Sequence, residues 1–423
     1  MPPRNLAGLV ISIALLLVGS GTTAAFSVLG HQAVVDQAWD TTLLPELRRR
    51  FPKASEQDLA DARAYARGGS HLPDLGYFPL GNRLFTDLLH YVRTGDFISR
   101  ALAEANTPQE YAFALGALAH YEVDSIGHPQ ATNRVVPIVY PKLRRKYGNE
   151  ISYAEKPSAH LQTEFRFDVL QVARRGEIPG LFEHSVDFKV PHEFLERLFE
   201  ENYGLKLNDL FDNYDVALLT YRWGFRTLIH ETTGITWELY REGIESLEPG
   251  ITRDRFLHAM SRADFVRHFG HAFDEPGYFF RFFDFLGNLL PNIGPFTRLP
   301  YKPLPAEAKQ LYVDAFHKAS EQYRKEVAVA AVRRVQLPNL NLDTGRPDHA
   351  GEYPPADKAY AELLQRQAQY HFVRMPTALR SDMLNHFHDP QRALMFGESS
   401  RQREKTLQAL SELRSSIPRA QQR

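Results

Sequence analysis

Three side chains that can bind a metal ion follow one another at intervals of four residues within residues 107–129: His120, Asp124 and His128. Each step of four turns a helix by about 40° and climbs about 6 Å, so the three would project to one side. His120 and His128 would lie about 12 Å apart, too far to share one ion. Asp124 lies between them and has two oxygens that can bridge. The pattern favours a metal cluster centred on Asp124; the alternative is a structural role on a buried helix face.

The flanks of this stretch predict a buried helix. Thr107 supplies an N-cap hydroxyl, Pro108 takes the first helical position, and Glu110 completes a capping box. An Ala- and Leu-rich run follows, and Gly127 with Pro129 predicts the end of the helix. The expected helix has about four to five turns.

Further histidines and acids that can bind metal are spread along the first part of the chain. They are His31, Asp74, His90, and the pair His160 and Glu164. The spacing of four residues in this pair puts both side chains on one face of a helix. Asp74 and His71 lie in a stretch interpreted as a loop. His71 is interpreted as a surface residue, with a substrate contact as the alternative.

Helical signals recur along the chain, and no useful run shows the period-2 alternation of a strand. A helix begins at the capping box of Ser55 and is expected to end at Gly68 and Gly69. Residues 134–151 are expected to form a mobile connection, and its basic cluster at residues 142–146 is interpreted as a solvated surface. The fold class is therefore all-α, a multi-helix bundle whose core can hold metal ligands from facing helices.

Proline-bearing breaks divide the chain. The expected organisation is a helical domain over residues 26–288, a proline-rich linker over residues 289–305 and a helical C-terminal extension over residues 306–423. Every candidate metal-binding residue precedes Arg166. The segment after Pro305 is therefore expected to be dispensable for metal binding.

The composition limits the chemistry. The 423-residue chain contains no cysteine, which excludes disulfides, thiolate nucleophiles and cysteine-bound zinc. Metal ligands must then be His, Asp, Glu or backbone groups, and these favour zinc or another first-row divalent ion. The net charge of −1 gives no global basic surface for nucleic acid, so a nucleic-acid partner is disfavoured.

The N-terminus has the pattern of an export signal. Arg4 precedes an apolar run over residues 6–18, and small residues follow. Thr23 and Ala25 suit cleavage before Phe26, so residues 1–25 are expected to be a signal peptide. The protein is then secreted or periplasmic; the alternative is an uncleaved membrane anchor.

The ordered set of candidate ligands resembles the zinc-dependent phospholipase C family over residues 26–175. It is also similar to the catalytic domain of glycosylphosphatidylinositol-specific phospholipase D and to the single-strand-specific zinc nucleases of the same superfamily. The resemblance implies two to three zinc ions. It implies a first ion held by Asp74, His90, His120 and Asp124, a second held by His128, His160 and Glu164, and a third held by His31, Asp124 and the mature N-terminal residue Phe26. Asp74 would also act as general base or orient the attacking water.

The leading hypothesis is an exported zinc-dependent phosphodiester hydrolase of phospholipase C type, acting on a phospholipid through a metal-activated water. The Phe-rich residues 264–285 either border a membrane-surface contact or belong to a packed core. One alternative is a single-strand nuclease or 3'-nucleotidase, to which the basic residues 142–146 would contribute. Another is a periplasmic zinc-binding module without catalysis. The sequence does not indicate an oligomeric state.

Overall fold

The computed structural model describes residues 28–174, 188–247, 250–253, 256, 304–395 and 399–416. Within this part of the chain the structure is all-α, as predicted; outside the helices the backbone forms one isolated bridge, between Asn341 and Arg346. None of the helices described combines the length and apolar character that crossing a bilayer requires. The expected signal peptide over residues 1–25, Phe26, and the Phe-rich residues 264–285 lie outside the described residues.

The helices follow in this order: α1 Val28–Ala38, α2 Leu44–Arg50, α3 Glu56–His71, α4 Arg83–Tyr91, α5 Thr94–Glu104, α6 Pro108–Gly127, α7 Asn133–Val139, α8 Pro141–Tyr147, α9 Pro157–Ala173, α10 His192–Tyr203, α11 Tyr214–Leu247, α12 Ala306–Val332, α13 Pro354–Gln369, α14 Thr377–His386, α15 Pro390–Ala393 and α16 Ser400–Ser415. Two short π-helical segments, Trp39–Leu43 and His128–Thr132, continue α1 and α6. A 3-10 helix, Leu72–Tyr77, continues α3.

Helix α6 is the central helix, and its N-terminus is the capping box that the sequence predicts. The Thr107 hydroxyl accepts the backbone N–H of Glu110 at 3.1 Å, and the Glu110 carboxylate accepts the N–H of Thr107 at 3.3 Å. From Tyr111 to Asp124 every residue of α6 is buried. Side chains in this stretch therefore face other helices on all sides, and any polar group among them must find a partner there.

Helices α3 and α6 pack closely through glycine. A Cβ at Gly69 would lie 2.0 Å from the carbonyl oxygen of Phe113, and one at Gly116 would lie 1.9 Å from that of Ala66. The expected end of α3 at Gly68 and Gly69 is wrong, because α3 runs on to His71 and both glycines permit close contacts instead, Gly69 with α6 and Gly68 with the backbone of Lys189. The close contact brings the C-terminal end of α3 against the middle of α6.

The expected mobile connection over residues 134–151 is also wrong, since α7 and α8 occupy most of it. Val136 and Ile151 are fully buried and form a small apolar cluster with Ala159 of α9. The backbone N–H of Ile151 donates to the carbonyl of Asn133 at 2.8 Å. The basic residues of α8 remain at the surface, because none of its residues is buried.

Helix α12, from the C-terminal extension, packs directly on the helices of the first part of the chain. The Tyr323 hydroxyl donates to the carbonyl of Leu115 in α6 at 3.1 Å, and the Tyr312 hydroxyl donates to Gln171 of α9 at 2.9 Å. Both tyrosines are fully buried. The division into a domain, a linker and an extension stays a prediction, but the described part of the extension is in contact with the core.

Candidate metal centre

The described candidate ligands from separate elements meet in the core. These are His31 on α1, Asp74 in the 3-10 helix, His90 on α4, His120 and Asp124 on α6, His128 at the start of the π-helical segment that follows, and His160 and Glu164 on α9. Each of these residues is at most 4% exposed. Phe26, the remaining candidate, lies outside the described residues, so its role stays a prediction.

Asp124 lies at the centre of the group. Its Oδ1 is 3.2 Å from Nε2 of His31 and 3.4 Å from Nε2 of His128. Its Oδ2 is 3.0 Å from Nε2 of His120 and 3.4 Å from Nε2 of His90. Each carboxylate oxygen therefore faces two imidazole nitrogens, and this is the arrangement that a bridging carboxylate between two ions requires.

Asp74, His90 and His120 form one group that can hold an ion. The Nε2 atoms of His90 and His120 are 3.2 Å apart, and Asp74 Oδ1 lies 3.5 Å from Nε2 of His90. Ligands bound at about 2.0–2.2 Å to one tetrahedral zinc are separated by about 3.3 Å, so these spacings suit a common ion. The ligand atoms of all three residues lie within 4.8 Å of one another.

Backbone carbonyls orient two of these imidazoles. Nδ1 of His90 lies 2.8 Å from the carbonyl oxygen of Thr86, and Nδ1 of His120 lies 3.0 Å from that of Ser70. A carbonyl oxygen can only accept, so Nδ1 carries the proton in each ring and Nε2 presents its lone pair. The Ser70 carbonyl reaches His120 because the close glycine contact holds α3 against α6.

A second group surrounds His128 and His160. Glu164 Oε1 lies 2.7 Å from Nε2 of His160 and 3.6 Å from Nε2 of His128. Asp343, from the segment between α12 and α13, joins them, with its Oδ1 3.0 Å from Nδ1 of His128. The expectation that every candidate metal-binding residue precedes Arg166 is therefore wrong, because Asp343 belongs to one of the groups that can hold an ion.

A third group consists of His31, His120 and Asp124, whose ligand atoms lie within 4.8 Å of one another. The imidazoles of His31 and His120 stack with their centroids 4.2 Å apart. Asp124 thus belongs to this group and also contacts members of the other two. The N-terminal residue that the resemblance adds to this group precedes the first described residue, Val28.

Several buried polar atoms of the centre make no hydrogen bond within the described part of the chain. They include both carboxylate oxygens of Asp74, Asp124 and Glu164 and both ring nitrogens of His31 and His160. Leaving a buried polar group without a partner costs about 1–3 kcal/mol, and more when it is charged. A cation bound among these atoms would offset that cost. Nitrogen and oxygen donors without sulfur, clustered in this way, fit zinc.

The electrostatics agree with a cation site. Burial lowers the pKa of His31, which keeps its imidazole neutral as a metal ligand must be. Burial raises the pKa of the Glu164 carboxyl, because its negative charge is removed from water. Burial acts in the same direction on Asp124, but positive charge on the surrounding imidazoles, which a bound cation would replace, outweighs it and holds the pKa of Asp124 well below its usual range. The central carboxylate is therefore ionised.

A guanidinium and two tyrosine rings border the centre. Arg83 lies over the ring of Tyr77 at 4.6 Å, and its Nη1 donates to the hydroxyl of Tyr153 at 3.0 Å. Tyr77 packs against His90 with centroids 5.9 Å apart, and Tyr153 packs against His160 with centroids 5.7 Å apart. The Arg83 side chain is 37% exposed. Its Nε also pairs with Asp87 at 2.7 Å, so a partly exposed guanidinium lies beside the two tyrosines that pack on these histidines.

The interpretation of His71 as a surface residue is wrong. The side chain is fully buried, because it is the last residue of α3 and other helices cover it. Its Nε2 lies 3.2 Å from Oε1 of Gln32 on α1, and its ring packs against Phe225 at 4.6 Å. Its position is that of a core residue beside the centre.

A family model described as zinc dependent phospholipase C matches residues 30–212. This range contains His31, Asp74, His90, His120, Asp124, His128, His160 and Glu164. The match confirms the family resemblance carried by the order of these residues. Asp343 lies beyond the matched range. No curated protein and no solved structure matches the chain.

Proposed function

Residues 30–212 match the zinc-dependent phospholipase C family, and from this premise we propose that the chain is an exported zinc-dependent phosphodiester hydrolase of phospholipase C type. The observation that carries the proposal is the ionised Asp124 carboxylate facing four imidazoles in the core. The proposed substrate is a phospholipid at a membrane surface.

The proposed ligand assignment gives Asp124 the bridging role. The first ion is assigned to Asp74, His90, His120 and Asp124, the second to His128, His160 and Glu164, and the third to His31, Asp124 and the α-amino and carbonyl groups of Phe26. Bound zinc would acidify the attacking water and neutralise charge that develops on the phosphoryl oxygens. The ligands proposed for the first two ions all lie among the described residues, whereas the third ion also needs the mature N-terminal residue as a ligand.

The residues of the chain supply proton transfer and substrate orientation. Asp74 is proposed to accept a proton from the attacking water, since both of its oxygens are buried and make no hydrogen bond within the described residues. The water oxygen forms a bond to phosphorus, and the bond from phosphorus to the glycerol oxygen breaks. That oxygen takes up a proton, so the products are diacylglycerol and a phosphorylated head group.

One panel of substrates tests the proposal. Purified mature protein is incubated with phosphatidylcholine, glycosylated phosphatidylinositol, single-stranded DNA and a chromogenic phosphodiester. Release of diacylglycerol is expected, whereas phosphatidic acid would place the cleavage on the other side of phosphorus. Nucleotide release from DNA without lipid turnover would favour the nuclease alternative. Zinc binding without any turnover would favour the non-catalytic module.

Arg83→Gln is expected to raise KM for the phosphodiester by about tenfold while changing kcat less, because a charge-assisted contact to phosphate is lost at the edge of the centre. Steady-state kinetics of the two parameters provide the measurement. Arg100→Gln is the matched control, since Arg100 is partly exposed and pairs with Glu104 and Glu201 on α5 and α10. A fall in kcat with unchanged KM would contradict the assignment and indicate that Arg83 only positions Tyr77 and Tyr153.

Removal of the signal peptide is expected to complete the third zinc site. The site needs the free α-amino group of Phe26, and a peptide nitrogen at this position would have no available lone pair. A variant with one extra residue before Phe26 should therefore bind one zinc ion fewer than mature protein. Phe26→Leu is the control, because it keeps the amine and the length. Equal zinc content in the extended and mature proteins, or a mature N-terminus elsewhere by N-terminal sequencing, would refute this expectation.

A further inference from the structure

A segment of the C-terminal extension lies beside the metal centre and is held there by hydrogen bonds to α4 and α5. We call this segment, residues 337–346, the strap. The backbone N–H of Leu337 donates to Ser99 at 2.9 Å, that of Leu340 donates to Thr94 at 3.1 Å, and that of Leu342 donates to the carbonyl of the candidate ligand His90 at 3.0 Å. The strap thus follows α5 and reaches the end of α4.

The strap ends in a tight turn, and this turn contacts α6. The backbone N–H of Asn341 donates to the carbonyl of Arg346 at 2.8 Å, and Gly345 adopts a positive φ of 66°. A Cβ at Gly345 would lie 2.3 Å from the carbonyl oxygen of Ser125. Glycine therefore permits both the turn and its close approach to α6. The turn fixes the position of Asp343, whose carbonyl accepts the Asn133 side chain at 2.7 Å.

Both carboxylate oxygens of Asp343 accept hydrogen bonds. Oδ1 accepts Nδ1–H of His128 at 3.0 Å. Oδ2 accepts the backbone N–H of Tyr153 at 3.0 Å and the hydroxyl of Tyr353 at 2.5 Å. Glu164 differs, because its buried Oε1 faces imidazole nitrogens, at 2.7 Å from Nε2 of His160 and 3.6 Å from Nε2 of His128. The two acids around His128 therefore have different surroundings: backbone and hydroxyl donors hold Asp343, whereas Glu164 faces the other candidate ligands.

The contact with Asp343 determines which nitrogen of His128 faces the other ligands. Because Nδ1 donates its proton to Asp343, Nε2 presents the lone pair. That Nε2 lies 3.4 Å from Asp124 Oδ1 and 3.6 Å from Glu164 Oε1. A carboxylate that accepts from the far nitrogen of a metal-bound imidazole holds the ring and increases its basicity as a ligand.

We propose that Asp343 is the positioning residue of the second zinc site, so that the C-terminal extension completes a site whose three assigned ligands lie within the family-matched residues. The proposal rests on the assignment of His128, His160 and Glu164 to one ion in the proposed function. It extends that function, because the matched residues 30–212 end well before the strap. The extension is then required for full zinc affinity, contrary to the expectation that it is dispensable.

The test measures zinc binding and needs no substrate. Asp343→Asn keeps the size and should still bind the second ion, but with an affinity about 10–100-fold lower in competition with a chromophoric chelator. Glu164→Gln should lose that ion at the same zinc concentrations, since a ligand is removed. Loss of the ion in Asp343→Asn to the same extent as in Glu164→Gln would show that Asp343 is a direct ligand, and unchanged affinity would show that it has no role. Either result overturns the proposal.

A cycle of variants tests whether Asp343 acts through His128. In a His128→Asn background, titrated at the higher zinc concentrations that the loss of a ligand requires, Asp343→Asn should lower the remaining affinity by less than about twofold, because the ring it orients is gone. If Asp343→Asn lowered the zinc affinity by the same factor in the His128→Asn background as in the wild-type background, the proposal would be overturned. Tyr353→Phe, which removes only one partner of Asp343, should give a smaller loss in the same direction, and no loss would count against the proposal.

Wild-type protein provides a check that does not depend on the folding of any variant. In zinc-loaded protein labelled with ¹⁵N-histidine, the NMR spectrum should show His128 protonated at Nδ1 and bound through Nε2. The opposite tautomer would overturn the proposal. Because neither the titration nor the spectrum uses a lipid, failure of the phospholipase assay leaves this test intact.

Discussion

Asp124→Asn is expected to lower kcat/KM by about a thousandfold, whereas His31→Ala should lower it by about tenfold to a hundredfold. The Asp124 carboxylate lies within 3.4 Å of the Nε2 atoms of four histidines, while His31 contacts it from one side only. Asparagine keeps the shape but loses the negative charge and one of the two bridging oxygens. The variant should therefore weaken every ion that Asp124 touches.

The measurement is turnover together with bound zinc by elemental analysis. Asp168→Asn is a matched control, since Asp168 is also a buried acid and accepts the backbone N–H of Leu29 at 2.9 Å outside the metal-binding groups. It should lose stability without losing zinc. A larger loss for His31→Ala than for Asp124→Asn would mean that the bridging role is wrongly assigned.

The local part of the centre could be predicted from the sequence because spacing and caps are local signals. The capping box at Thr107 begins α6, and the step of four places His120 and Asp124 on one face. His128 follows where the helix changes to a π-helical segment, and its Nε2 still faces Asp124 at 3.4 Å. The order of the remaining ligands carried the family resemblance, which the match over residues 30–212 confirms.

Asp343 could not be found in this way because its contacts are entirely tertiary. It is 215 residues from His128 and has no partner at helical spacing that would single it out. The same limit explains Gly68 and Gly69, which resemble a helix end locally but lie inside α3, where Gly69 contacts α6 and Gly68 contacts the backbone of Lys189. In each case the deciding contact comes from a distant part of the chain.

Removal of zinc is expected to lower the thermal unfolding midpoint by about 10 °C and to abolish turnover. An ion present at about a thousand times its dissociation constant stabilises the native state by about 4 kcal/mol, and each kcal/mol corresponds to about 2–4 °C for a domain of 150–250 residues. Without a cation, the buried oxygens of Asp74, Asp124 and Glu164 have no hydrogen-bond partner within the described residues. The ions would join α1, α4, α6 and α9, which are far apart in sequence.

Scanning calorimetry before and after dialysis against a chelator measures this effect, and elemental analysis of the zinc-loaded protein should give two to three ions. Zinc should restore both the midpoint and turnover, whereas magnesium should not, because imidazole-rich sites favour zinc. Asp124→Asn is the internal control, since chelation should shift its midpoint much less. An unchanged midpoint of the wild-type protein after chelation would contradict a multi-zinc centre, and so would a content of one zinc ion or none after reconstitution. Protons would then have to neutralise the buried acids instead.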